Sequence, residues 1–226
     1  MTVKGLQKLT LLDYPGELAA IVFTGGCNFR CPFCHNGTLV LGTAPDIDTE
    51  WVFAFLESRK TKLGAVVISG GEPTLYHDLA DFIRRVRSLG YKIKLDTNGT
   101  NPEMLISLVA EGLVDYVAMD IKNSPDSYDA TAGCKVDIEK IQKSVDFLLS
   151  GTVDYEFRTT LVRQLHTHEN MKKIGEWIKG AKRYFLQSYK HTDDVISAGL
   201  DAHTTKTVAE FLEVILHYVP NAQIRG

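Results

Sequence analysis

The chain predicts an α/β fold of parallel strands, and two observations predict it. Short apolar runs alternate with amphipathic stretches along the sequence, giving six strand–helix units. Residue types suited to chemistry follow the apolar runs rather than precede them. Strict alternation implies a parallel sheet with right-handed crossovers. Such folds build their sites at the carboxyl ends of their strands. At 226 residues the chain is long enough for one sizeable core, so a single domain over 1–226 is expected.

Strands are expected at residues 18–24, 65–69, 91–95, 116–119, 155–162 and 184–187. Helices are expected at 49–60, 78–89, 102–111, 138–149, 171–179 and 206–218. Asn101 before Pro102 is an N-cap with proline at the first helical position. Gly90 and Gly112 fall just past helix ends, where a left-handed cap favours glycine. Residues 4–16 read as a short strand, a Tyr-Pro-Gly turn and the entry to the strand at 18–24.

Six units can close as an open or partial barrel, or lie flat in a doubly wound sheet. The cysteine loop follows the strand at 18–24, and Gly70-Gly71-Glu72 follows that at 65–69. Asp96-Thr97-Asn98-Gly99, Asp120-Ile121-Lys122 and Gln187-Ser188-Tyr189 follow three later strands. A barrel-like arrangement lets all of these face one mouth, whereas a flat sheet spreads them over two crevices.

Composition excludes some classes. A formal charge of −3 gives no support for general nucleic-acid or membrane binding. No apolar run is long enough to cross a bilayer, and no N-terminal targeting pattern, low-complexity segment, linker or repeat is visible. The reading is of a cytoplasmic protein.

Three of the four cysteines stand within eight residues, in Thr24-Gly-Gly-Cys-Asn-Phe-Arg-Cys-Pro-Phe-Cys-His-Asn-Gly37. Cys27, Cys31 and Cys34 have the spacing Cys-x3-Cys-x2-Cys, and thiolate sulfur is the soft ligand that iron–sulfur iron and zinc prefer. Three ligands are one too few for a closed site, so a four-iron cluster held this way keeps one iron open. A disulfide framework does not suit this cysteine count without a secretory signal. A thioredoxin-like pair at Cys31 and Cys34 leaves Cys27 unexplained. A structural zinc site would need a fourth ligand, and His35 would have to double back to supply it.

The cysteine spacing, with Phe33 before the last cysteine, resembles the signature of the radical S-adenosylmethionine (SAM) enzymes. Ser69-Gly70-Gly71-Glu72-Pro73 resembles their Gly-Gly-Glu motif, which meets the methionine amino group of SAM. The resemblance implies a [4Fe-4S] cluster on Cys27, Cys31 and Cys34, SAM at its open iron, and a partial (β/α)6 TIM-like barrel. Asp96-Thr-Asn-Gly99 and Asp120-Ile-Lys122 resemble motifs of the glycyl-radical-enzyme activases, relatives of the pyruvate formate-lyase activator. By that resemblance Asp96 and Asp120, with Thr97, would hold a monovalent cation beside SAM. Phe33, Asn36, Gly70, Gly71, Glu72, Asn98, Lys122 and Arg158 would contact the cofactor. Taken singly, the Asn-Gly stretch also reads as an ordinary turn, Asp120 and Lys122 as a surface pair, and Arg158 as a structural arginine inside a strand. No side chain is singled out as catalytic beyond the cluster and SAM. Where the pyruvate formate-lyase activator has a histidine near SAM, this chain has Lys190, with His191 beside it. Cys134 is most simply a structural thiol.

The block from Lys4 to the Cys-His-Asn run resembles the anaerobic ribonucleoside-triphosphate reductase activating proteins. This implies a partner enzyme on whose glycine a radical is made, and an electron donor such as flavodoxin or ferredoxin. Between His35 and Ser69 there is no cysteine, so activases with a ferredoxin-like insert there are excluded. Two rival readings are a radical SAM enzyme acting on a small molecule or peptide, and a non-enzymatic zinc or redox module.

Overall fold

A computed structural model describes residues 1–225 and divides the chain into two compact units. The first comprises Met1–Asn28, Thr38–Thr97 and Asn101–Val117; the second comprises Phe29–Gly37, Asn98–Thr100 and Ala118–Gly226, the last residue lying outside the described ones.

In the first unit the strands β1 (Val3–Thr10), β2 (Ala19–Thr24), β3 (Ala65–Gly70) and β4 (Lys92–Thr97) add in chain order. β1 runs antiparallel to β2, while β2, β3 and β4 are parallel. Ala19–Val22 and Ala65–Ile68 are buried on both faces, as expected of a covered parallel sheet. On one face Tyr14 folds back over Ala19, Ile21, Ala65 and Val67, its ring 5.9 Å from that of Tyr116. A short helix α1 (Gly37–Val40) begins in the second unit and ends in the first. The crossover helices of the first unit are α2 (Thr49–Arg59), α3 (Leu79–Ser88) and α4 (Pro102–Ala110). Asn101 caps α4 by accepting from the Met104 N–H, and its side-chain amide donates to the Thr74 carbonyl. Gly90 and Gly112 adopt φ of 93° and 66°, the left-handed caps read from sequence.

Strand β5 (Tyr116–Asp120) passes from the first unit into the second. There β6 (Asp154–Leu161), β7 (Tyr184–Ser188) and β8 (Gln223–Arg225) pair in parallel. Helices α5 (Tyr128–Ala132), α6 (Ile138–Leu149), α7 (His168–Trp177) and α8 (Thr205–Leu216) join them. All six expected strands and six expected helices are present, within a few residues of their expected bounds. The largest difference is α7, which starts at His168 rather than 171. Its cap is a reciprocal box between Thr167 and Asn170, with asparagine where glutamate or glutamine is the usual signal. β8, α1 and α5 span only three, four and five residues, too short to print a periodicity.

β8 is held by charge. The Arg225 guanidinium bonds both oxygens of Glu156, whose side chain is 1% exposed, and lies 3.4 Å from the Phe185 ring centroid. Arg225→Ala would leave that carboxylate buried beside a vacant site. The expected loss is about 2–3 kcal/mol, because Arg225 is itself partly exposed. Urea unfolding checks this, and the paired change Glu156→Leu with Arg225→Met should recover most of the loss.

Candidate functional site

In the first unit the Gly-Gly-Glu turn is built directly onto the backbone that leads into Cys27. The Gly71 N–H donates to the Thr24 carbonyl at 3.0 Å, and the Glu72 N–H donates to the Gly26 carbonyl at 2.9 Å. A Cβ on Gly71 would sit 1.7 Å from the Gly26 oxygen, so no side chain fits there. Gly70 has φ of 118°, and a Cβ on it would meet Thr24 backbone atoms at 2.3 and 2.4 Å. The Gly26 N–H in turn donates to the Leu39 carbonyl at 2.9 Å, tying the base of the cysteine loop where the chain returns.

Glu72 is buried, 1% exposed. Its Oε1 accepts from the Thr74 N–H at 3.1 Å, from the Thr74 hydroxyl, and from the Thr97 hydroxyl at 2.8 Å. These donors fix the carboxylate and offset the cost of burying it. Thr97 thus turns its hydroxyl to Glu72. Asp96 is bonded otherwise: Oδ1 accepts from the Lys94 ammonium, and Oδ2 accepts from the Ser69 hydroxyl at 3.0 Å.

In the second unit the segment Phe29–Gly37 is held along its length. The Cys34 N–H donates to the Cys31 carbonyl at 3.0 Å, closing a turn between the two cysteines. The Arg30 N–H donates to the Ala132 carbonyl at 2.8 Å, and the Ser197 N–H donates to the Pro32 carbonyl at 2.9 Å. The Gly37 N–H donates to the Asp194 carbonyl at 3.0 Å. His35 stacks on Tyr189, centroids 5.5 Å apart and planes 12° off parallel, and its Nε2 lies 2.6 Å from the Lys190 carbonyl. That nitrogen is therefore a donor to the backbone rather than a fourth zinc ligand. Cys31 and Phe33 are buried. Burial pushes the Cys34 thiol up, against the Asn36 backbone N–H and the Lys122 ammonium, which pull it down.

Asp120, Lys122 and Arg158 form one cluster. Lys122 Nζ is 2.8 Å from Asp120 Oδ2, and Arg158 Nε donates to Oδ1. Burial would raise the Asp120 carboxyl, but Arg158 and Lys122 together hold it well below the usual carboxylate range. Burial would lower the Lys122 ammonium, but Asp120 and then Cys31 raise it above its ordinary value. The Tyr128 hydroxyl donates to the Asp120 carbonyl at 3.4 Å, and burial pushes this phenol up. Asn98 Oδ1 accepts from the Thr100 N–H at 3.0 Å and hydroxyl at 2.7 Å. Gly99 beside it has φ of 77°, and Met119 fills the space a Cβ would take.

Several supporting residues escaped the sequence reading. His166 is 1% exposed; its Nδ1 accepts from the Val162 N–H at 3.0 Å, and its Nε2 meets the Lys122 carbonyl at 2.9 Å. Asn123 donates to Thr131 and the Leu165 carbonyl, both at 2.8 Å, pinning the same segment. Lys94 had a legible signal, a lysine two residues before Asp96 on one face of a buried strand. His166 and Asn123 had none, because each reaches a backbone carbonyl more than forty positions away. Cys134, far from the cysteine loop in sequence, follows Gly133, where a Cβ would lie 2.2 Å from the Arg30 carbonyl.

The donor set suits an iron–sulfur cluster. Three thiols are carried on a short loop of backbone-anchored turns, no disulfide joins any described cysteine, and Gly26 beside Cys27 has open space where a Cβ would lie. Among the described residues no three His, Cys, Asp or Glu side chains converge as ligands of a single metal ion. No helix of the described residues is long and apolar enough to cross a membrane.

Fold and motifs together define a class, and comparison with known proteins agrees. The family model "Radical SAM superfamily" matches residues 21–180. A candidate glycyl-radical enzyme activating enzyme of Methanocaldococcus jannaschii is 33% identical, over 99% of this chain and 95% of that one. The crystal structure of a domain of pyruvate-formate lyase-activating enzyme from Bacteroides vulgatus superposes with TM-score 0.59 at 20% identity, covering 72% of this chain and 99% of that one. Streptococcus suis SuiB bound to S-adenosylmethionine superposes with TM-score 0.68 at 14% identity, covering 91% of this chain and 52% of that one. The chain belongs to the radical SAM superfamily. Within it the chain is an enzyme of the glycyl-radical-enzyme activating class, using a [4Fe-4S] cluster and SAM, with the partial-barrel fold of its neighbours.

Two outcomes follow. Gly71→Ala must displace the Gly26 carbonyl and should cost about 1–3 kcal/mol. It should also lower the iron bound after reconstitution, measured by colorimetric iron assay. His166 has its imidazole pushed down to about 4 by burial, against the Lys122 and Val162 backbone bonds that raise it. The unfolded chain therefore binds the extra proton first as pH falls. The stability this histidine contributes is whole above pH ~6.5 and falls by about 3 kcal/mol toward pH ~4. Urea midpoints across that range should show the slope, and His166→Gln should flatten it.

Proposed function

We propose that this enzyme generates the glycyl radical of an anaerobic ribonucleoside-triphosphate reductase, in the cytoplasm, with flavodoxin or ferredoxin as its electron donor. The observation that carries the site assignment is the fusion of the Gly-Gly-Glu turn to the backbone preceding Cys27, through the Gly26 carbonyl and the side-chain-free approach at Gly71. In this reading Cys27, Cys31 and Cys34 hold the cluster, and Phe33, Asn36, Gly70, Gly71, Glu72, Asn98, Lys122 and Arg158 surround SAM.

Cys27, Cys31 and Cys34 would hold the cluster, which would supply one-electron reduction of the SAM sulfonium and so the radical chemistry directed at the partner's glycine. The protein's part is orientation. Glu72, fixed by Thr74 and Thr97, presents a carboxylate to the methionine ammonium. Gly70 and Gly71 let the ligand lie against backbone. Lys122, kept protonated by Asp120, offers a fixed positive charge to a carboxylate or ribose oxygen. The partner reading is supported by the resemblance from Lys4 to Asn36, and the activase reading by the similarity to the Methanocaldococcus jannaschii protein.

The test is anaerobic reconstitution followed by reduction with SAM. The wild type should release 5′-deoxyadenosine and raise a glycyl radical signal on the reductase, and Cys31→Ala should do neither. Deoxyadenosine with a radical only on a different glycyl-radical enzyme would overturn the partner; no deoxyadenosine would overturn the site assignment.

A further inference from the structure

A carboxylate attracts a soluble monovalent cation through charge that nothing else neutralises. The resemblance to the activases assigns such an ion to Asp96 and Asp120, but each carboxylate already faces a fixed cation of the protein here. On β4, Lys94 and Asp96 are two residues apart and so share one face of the strand. Both are buried, Lys94 2% and Asp96 9% exposed. The Lys94 ammonium donates to Asp96 Oδ1, and the Ser69 hydroxyl from the neighbouring strand donates to Oδ2 at 3.0 Å. Within its own unit, Asp120 pairs Oδ2 with Lys122 and Oδ1 with Arg158. Thr97, the third expected ligand, gives its hydroxyl to Glu72.

We propose that the Lys94 ammonium is the built-in monovalent cation of this enzyme at Asp96, so that no soluble ion is taken up there. An ammonium group carries the same unit charge as a potassium ion and is close to it in size. Fixed two residues away on the same strand, it is present at an effective concentration no dissolved salt reaches. A second cation approaching the same oxygens would be repelled across a buried site. A lysine buried this deeply needs its partner, so the pair is kept in every salt. A merely structural ion pair would differ in one respect: its loss could not be repaired by a free ion.

The experiment compares wild type with Lys94→Met, which keeps length and removes charge, at constant ionic strength in potassium, ammonium or tetramethylammonium chloride. Melting of the cluster-free proteins is read first. Wild type should melt within ~1 °C in all three salts. Lys94→Met should melt lower in tetramethylammonium and recover by about 3 °C or more in potassium or ammonium, which fit the vacated place. SAM binding to the reconstituted proteins is read second, and this arm alone rests on the proposed function. Wild type should bind equally in potassium and tetramethylammonium, and Lys94→Met at least ~5-fold more tightly in potassium. A potassium requirement in wild type, or a Lys94→Met protein indifferent to the ion in melting, overturns the proposal. If neither protein binds SAM, the site assignment fails and the melting arm still decides the role of Lys94. If Lys94→Met does not fold, Lys94→Gln takes its place under the same criteria.

Discussion

Two stretches of backbone meet at Gly26 and Gly71 with no space for a side chain between them, and the chemistry of the first unit depends on that contact. The Gly26 carbonyl accepts from Glu72, while the Gly26 N–H reaches Leu39 on the returning chain. One peptide thus anchors the entry to the cysteine loop, the loop's return and the turn that presents Glu72. A side chain at 71 would part all three at once. Glycine at 70 has a second cause, its φ of 118°, which other residues adopt only under strain.

Charge is handled in the same economical way. Glu72 is buried with three hydrogen-bond donors on one oxygen; Asp96 is buried with an ammonium and a hydroxyl; Asp120 carries a guanidinium and an ammonium. Buried ion pairs are weak sources of stability, because desolvation consumes most of what attraction returns. In the first unit, the buried charges at the carboxyl ends of β3 and β4 therefore make better sense as a fixed electrostatic field for a charged ligand than as cement. A zwitterion such as SAM needs both signs held in place before it arrives.

Much of this was legible in the sequence for physical reasons. Buried strands print apolar runs, glycine caps print themselves through φ, and cysteine spacing is dictated by what a short loop can reach. The motifs after β2, β3, β4 and β5 were found because strand ends in parallel folds are where sites form. The partners were not legible. Nothing local says that His35 stacks on Tyr189, that His166 supports the Lys122 carbonyl, or that Arg158 spends its Nε on Asp120. Those contacts join residues dozens of positions apart, and several end on backbone carbonyls, which leave no mark on side-chain pattern. The Asn98 side-chain oxygen also serves a local turn with Thr100.

The central claim is that three thiolates leave one iron for SAM. Electron paramagnetic resonance of the reduced, reconstituted protein with and without SAM addresses it most directly. With about four irons bound per chain, the cluster signal should change its g-values when SAM is added. A fully loaded cluster whose spectrum is the same with and without SAM would contradict the account.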